Sequence, residues 1–130
     1  MSLVPGSHAD ILESTALASL ALVKTDGTPQ VTPLWFDCEG DLIVVNTARG
    51  RVKDKILSRL PKVALAIVDP TNAYRYIQIQ GTVVECSEEG ADDVIDRLSM
   101  KYLGKKYPFR QPGEVRVTFK IRPERVQTMG

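Results

Sequence analysis

Histidine is nearly absent from this chain: among 130 residues there is one, His8. There are two cysteines, Cys38 and Cys86, far apart, and no CxxC, HExxH or His-rich run. Tetrahedral zinc takes clustered Cys and His ligands, so a zinc site is disfavoured and no metal ligand is assigned. A Ser-His-Asp or Cys-His triad would have to recruit His8 from the chain end. His8 itself reads as an exposed polar residue in a first helical turn. The cysteines read as two buried free thiols rather than a disulfide or redox pair. An excess of one charge is also missing: Lys+Arg 17 against Asp+Glu 16 leaves +1. A general nucleic-acid binder usually carries a large basic excess, so no nucleic-acid partner is expected. No apolar run approaches a membrane span and no leader pattern stands at the start, so the expected location is cytoplasmic.

What is present describes one small domain. Hydrophobic residues are 43% and charged residues 25%, ordinary for a soluble fold that buries its own core. A single domain over residues 1–130 is expected, with 1–7 set aside as disordered or non-native. Ser7 and Asp10 suggest a short helix reaching about Ser14. Strand patterns follow over 16–24 and 30–38, joined by the hairpin turn Thr25-Asp26-Gly27. Pro33 cannot donate to a ladder, so the second strand is an edge or carries a bulge. Further strands are predicted over 41–47, 62–68, 75–86 and from Val115. In the last, Val115, Val117, Phe119 and Ile121 alternate with Arg116, Thr118, Lys120 and Arg122. Helices are predicted over 50–60, stopped by Pro61, and over 88–103, with Gly104 at the C′ position. Six short strands joined mostly by tight turns imply a mainly β fold, an antiparallel sheet curled into a barrel.

The small net charge hides two patches. Between Arg49 and Lys62 there are six basic residues and one acid, Asp54; between Glu85 and Asp96 there are six acids and no base. The acidic run is accounted for by dipole complementation in a first helical turn. In the basic run, a helical wheel places Arg51, Lys55 and Arg59 on one stripe and Val52, Ile56, Leu57 and Leu60 on another. Lys53 falls inside the apolar sector, where a lysine either snorkels out or meets an anion. Asn46, Thr47, Ala48, Arg49 and Gly50 precede it as a small polar loop at a strand end. Together these make a phosphate cradle, with a solvated basic helix as the competing reading. Two other segments stand out. Gln30-Val31-Thr32-Pro33-Leu34-Trp35 has strand backbone freed by Pro33, able to bond the edge of a planar heterocycle; plain core is the alternative for Leu34 and Trp35. Tyr74-Arg75-Tyr76, with Gln78 and Gln80, gives one polar, aromatic strand face that meets water, a second subunit or a ligand.

The runs Pro29–Phe36, Val45–Lys53, Asp69-Pro70 with Tyr74-Arg75-Tyr76, and Tyr107–Glu114 together resemble the pyridoxamine 5′-phosphate oxidase-like, flavin-binding split β-barrel superfamily. Within it they resemble the small actinobacterial deazaflavin (F420)-dependent enzymes. The resemblance implies a six-stranded antiparallel split β-barrel with two or three flanking helices. It also implies a homodimer with cofactor sites at the subunit interface. The ring-facing residues would be Gln30, Thr32, Pro33, Leu34 and Trp35. The phosphate-side residues would be Asn46, Thr47, Ala48, Arg51, Lys53 and Lys55, with Tyr74, Arg75 and Tyr76 closing the site from the second subunit. The implied activity is hydride transfer from reduced coenzyme F420 to a small electrophilic organic acceptor. The alternatives are an FMN-dependent oxidoreductase and a non-catalytic flavin- or deazaflavin-binding protein. No catalytic acid or base is assigned, because the cofactor carries that chemistry.

Overall fold

The computed structural model describes residues 3–130. A 3-10 turn, Gly6–His8, runs into α1, Ala9–Glu13. Seven strands follow: β1 Ala18–Val23, β2 Pro29–Leu34, β3 Asp37–Glu39, β4 Leu42–Ala48, β5 Lys62–Val68, β6 Tyr76–Ser87 and β7 Arg116–Met129. Helix α2, Val52–Leu57, lies between β4 and β5, and α3, Ala91–Leu103, between β6 and β7. All strand neighbours are antiparallel, in the order β2-β1-β5-β6-β7-β4-β3. The fold is mainly β, as expected, but with seven strands rather than six.

The extra strand comes from a break in the segment predicted as one strand over 30–38. Only Trp35 and Phe36 separate β2 from β3, yet these two strands form the opposite edges of the sheet. Three Cα steps reach about 11 Å at most. The sheet must therefore curl until its edges nearly meet, without pairing, and the chain crosses the gap at Trp35-Phe36. That is a split barrel. Pro33 lies in β2, an edge strand, opposite Ser19, the kind of strand to which a residue without an N–H is confined.

The barrel interior is filled by alternate residues of each strand. Leu20, Leu65, Ile67, Ile77, Ile79, Phe119 and Ile121 are all essentially inaccessible to solvent, and each such side chain contributes about 1.5–3 kcal/mol on burial. Two chain features fix the register and ends. At Gly81, beside a register shift in the β6–β7 pair, a Cβ would run into the Arg122 carbonyl. Gly104 ends α3 at φ +74, as its predicted C′ role requires.

Two expectations change here. His8 is buried, not exposed: its Nε2 donates to the Met129 carbonyl at 3.0 Å, and Ser7 Oγ lies 2.9 Å from its Nδ1. Residues 3–7 are part of the fold, since Val4 packs into the core. The polar face of β7 is partly covered. Arg116 and Thr118 are buried on the side of the sheet that α3 covers.

Candidate cofactor site

The C-terminal turn of α3 holds the crossing between the two sheet edges. Tyr102 Oη donates to the Ala16 carbonyl at 2.6 Å and accepts from the Phe36 N–H at 3.3 Å. Lys101 Nζ donates to the carbonyls of Phe36 at 3.0 Å and Leu12 at 3.3 Å, and sits 4.3 Å from the centre of the Phe36 ring. Burial pushes the Tyr102 phenol up to about 12 and lowers the Lys101 ammonium. Trp35 stacks on Tyr102 at 5.3 Å with an 8° interplanar angle. Trp35 also meets Tyr107 nearly at right angles, at 6.2 Å, and Tyr107 meets Phe109 at 5.7 Å. Beside these groups lies a cleft of about 380 Å³, lined by Pro33, Leu34, Trp35, Asn46, Tyr107 and Phe109. An apolar, aromatic-walled cleft of this size suits a planar ring.

A cationic cluster adjoins the cleft through Asn46 and Tyr107. Arg116 Nε donates to Asn46 Oδ1 at 2.9 Å and Nη1 to Glu114 Oε1 at 3.2 Å, with the guanidinium 5.2 Å from the Tyr107 ring centre. Arg51 approaches the same Glu114 oxygen at 3.9 Å. Lys53 is half-buried and has no hydrogen-bond or ion-pair partner among the described residues. Burial, then the charges of Arg51 and Arg116, lower its ammonium. Glu114 Oε2 is itself buried without a partner. Two guanidinium groups thus share the Glu114 carboxylate, Lys53 beside them has no partner among the described residues, and an anion would complete the set.

The phosphate cradle read from the sequence is altered in one respect. Helix α2 has six residues, Val52–Leu57, rather than the predicted span of 50–60. Its own carboxylate, Asp54, turns back to accept from Gly50 N–H at 2.8 Å, Arg49 Nη1 at 2.7 Å and Ser58 Oγ at 3.1 Å. Burial pushes the Asp54 carboxyl up, but these three donors outweigh it and hold it below the usual carboxylate range. The loop amide is therefore taken, and the positive charge of the site comes from side chains.

The remaining candidates divide. Asn46 lines the cleft, but Nδ2 donates to the Ala91 carbonyl at 3.0 Å and Thr118 Oγ1 at 3.1 Å, so its amide orients Arg116 rather than reaching outward. Thr47 and Ala48 are buried, Thr47 in register with core residue Val117. Lys55 is exposed. Gln30 and Thr32 pair with the core residues Leu22 and Leu20, so they share the inner face, while Pro33 is exposed on the outer one. Gln30 Oε1 is buried and unpartnered. Tyr74, Arg75 and Tyr76 lie elsewhere. Tyr76 pairs with Met129, at the end of β7 opposite to Arg116, roughly 40 Å along the strand at about 3.3 Å per residue. Arg75 is engaged by Asp69 at 2.9 Å, by Asp10 at 2.8 Å and by the Ser7 carbonyl. Tyr74 is 85% exposed.

Sequence reasoning missed Arg116, Glu114 and Tyr102 as site residues. In the sequence Arg116 is one of the polar residues that alternate along the last strand, and nothing next to Tyr102 marks its hydroxyl as used. Among the described residues no group of three metal-ligating side chains comes together, and no helix is long and apolar enough to cross a membrane.

A family model described as pyridoxamine 5′-phosphate oxidase matches residues 4–130. The chain belongs to that family. Its fold is the flavin-binding split barrel, and the family supports oxidoreductase chemistry in general. An F420 reductase superimposes with a TM-score of 0.84 at 28% identity, covering 95% of this chain and 98% of the other. A conserved hypothetical protein from Mycobacterium tuberculosis gives 0.77 at 22% identity, covering 99% and 86%. General Stress Protein 26 from Bacillus anthracis gives 0.69 at 19%, covering 93% and 89%. These last two share the fold. No curated protein matches the sequence.

Proposed function

We propose that this member of the pyridoxamine 5′-phosphate oxidase family is an F420-dependent reductase that passes hydride from the reduced deazaflavin to an electrophilic organic acceptor. The observation that carries the reading is Lys53: half-buried, without a partner among the described residues, and beside Arg51 and Arg116, the latter lying over the Tyr107 ring that lines the aromatic cleft. A phosphate attached to a planar ring system satisfies both halves of that arrangement. The similarity to an F420 reductase supports it.

In this reading Lys53, Arg51 and Arg116 hold the phosphate, with charge-assisted bonds that a half-buried setting strengthens. Trp35 and the backbone of 32–35 support the ring. When bound, the cofactor supplies the hydride chemistry. The chain supplies orientation and exclusion of water by Trp35, Tyr107 and Phe109. Exposed Arg51, Lys55 and Arg59 form a stripe able to attract the polyglutamate tail that F420 has and FMN lacks. FMN is the second reading, because it shares the ring shape and the phosphate.

The working unit in this proposal is a homodimer. The outer face of β2, β1 and β5 presents exposed Val31, Val23, Ala66 and Val68, with no described helix across it. A second copy covering this face would also bring its Tyr74 and Tyr76 to a cleft that they do not reach within one chain. Titration with F420, FMN and haem, followed by quenching of Trp35, tests the cofactor. Micromolar or tighter binding of F420, with bleaching of its reduced form only when an acceptor is present, is expected. Preference for FMN would favour the second reading. Tight binding without turnover across a broad acceptor panel would make the protein a carrier. Binding of none of them would refute the proposal.

A further inference from the structure

Phe36 is the residue at which the chain passes from one edge of the split sheet to the other, and both of its backbone groups are held by consecutive residues of one helix. Tyr102 Oη takes the Phe36 N–H, and Lys101 Nζ takes the Phe36 carbonyl. The same two side chains tie this crossing to α1 and to the segment entering β1: Lys101 donates to the Leu12 carbonyl and Tyr102 to the Ala16 carbonyl. Lys101 packs its ammonium on the Phe36 ring, and Tyr102 stacks its ring under Trp35. Two residues spanning a gap between unpaired edges have no ladder to hold them. Without this clamp, the peptide groups at the buried Phe36 would be left unpaired.

We infer that Lys101 and Tyr102 are positioning residues for the cleft: they fix the Trp35-Phe36 crossing so that the Trp35 ring and the preceding 33–35 backbone stand as its rigid wall. Neither side chain lines the cleft; both act through Trp35 and Phe36. A wall held by hydrogen bonds at both peptide groups keeps a ring-binding surface in one geometry. Loss of one anchor lets it sample several, and binding geometry tolerates little looseness. The link to cofactor affinity rests on the proposed function, whereas the link to the geometry of the crossing does not.

The test exploits the fact that Trp35 is the single tryptophan of the chain. Tyr102→Phe keeps the stacked ring and removes the hydroxyl; Lys101→Met keeps the stem and removes the ammonium. Each is expected to speed exchange of the Phe36 amide hydrogen, to shift Trp35 emission, and to weaken F420 or FMN binding about five- to thirtyfold, the factor that one or two kcal/mol represents. Val63→Ala, in the core four residues along β5 from the neighbourhood of the crossing, serves as the control. It should lower the melting temperature while leaving Trp35 emission and affinity alone. Unchanged exchange at Phe36, unchanged affinity in both clamp variants, or an equal affinity loss in Val63→Ala would overturn the inference. If the parent binds neither cofactor, the proposed function fails. Phe36 exchange and Trp35 emission then still decide whether the clamp exists.

Discussion

Replacing Lys53 by methionine should move stability and ligand affinity in opposite directions. Methionine keeps the apolar stem, which already lies among the packed residues of α2, and deletes only the charge. In the free protein that charge is a liability. It is half-buried, lacks a partner among the described residues, and is lowered by burial first and then by Arg51 and Arg116. Removing it is expected to stabilise the fold by about 0.5 kcal/mol, at the low end for relieved charge repulsion. With about 2.1 cal/mol/K of unfolding entropy per residue, a chain of this length should gain about 2 °C in Tm. The gain should depend on pH. Because the ammonium titrates lower in the folded state than unfolded, the folded state binds fewer protons just below the ordinary lysine value. The parent therefore recovers stability there as pH rises, and the difference between parent and variant should shrink through that range. Ligand binding should respond the other way. A charge-assisted bond to phosphate is worth about 1.5–3 kcal/mol, so the Kd for F420 or FMN should rise by about ten- to a hundredfold. Calorimetry across pH and fluorescence titration measure the two effects on one sample. A variant that loses stability, or that binds as the parent does, would refute the anion role of Lys53.

Asp54→Asn should cost about 2–3 kcal/mol, since it breaks the charged bonds from Arg49 and Gly50 to a buried carboxylate; denaturant unfolding measures it. The carboxyl titrates below its ordinary value, so its contribution is present at neutral pH and lost only as pH falls through the acid range, where parent and variant should converge. Cys38, raised to about 11 by burial and then by Asp37, should resist alkylation by iodoacetamide in the native protein at neutral pH and react once unfolded. With Tyr102 raised to about 12, the fold should lose stability as pH climbs from about 9 through these values, because the folded state keeps protons that the unfolded chain has released; a thermal melt series from pH 8 to 11 checks it. Ala66→Arg, on the exposed outer face, should leave the fold intact and halve the mass seen by light scattering from twice 14.4 kDa to that of one chain. A dimer that survives this change would move the interface elsewhere.

Local rules carried most of the fold and one corner of the site. The edge role of Pro33, the hairpin at Gly27, the C′ glycine of α3 and the alternation of Val117, Phe119 and Ile121 in β7 are dictated by neighbours within a few residues, and each stands where those rules put it, whereas Val115, expected with them, lies outside the strand and is exposed. Lys53 was legible for the same reason: a helical wheel needs no partner to show a lysine out of place. What escaped depends on contacts between residues far apart in the chain. Nothing near Trp35 and Phe36 marks a strand end; the crossing is enforced from 65 and 66 residues away, by Lys101 and Tyr102. His8 is buried by a carbonyl 121 positions later. Arg116 is only a polar residue of an alternating strand until α3 is laid across the sheet, after which Asn46, at a separation of 70, becomes its acceptor. The site residues that periodicity missed thus share one cause. They are held by α3 and by the loop that returns from it, and a strand pattern has no means of announcing that its polar face will be covered. Placing α3 explains the crossing, the Trp35 wall and the orientation of Arg116 together, so one helix ties the break in the barrel to the place where a ligand would bind.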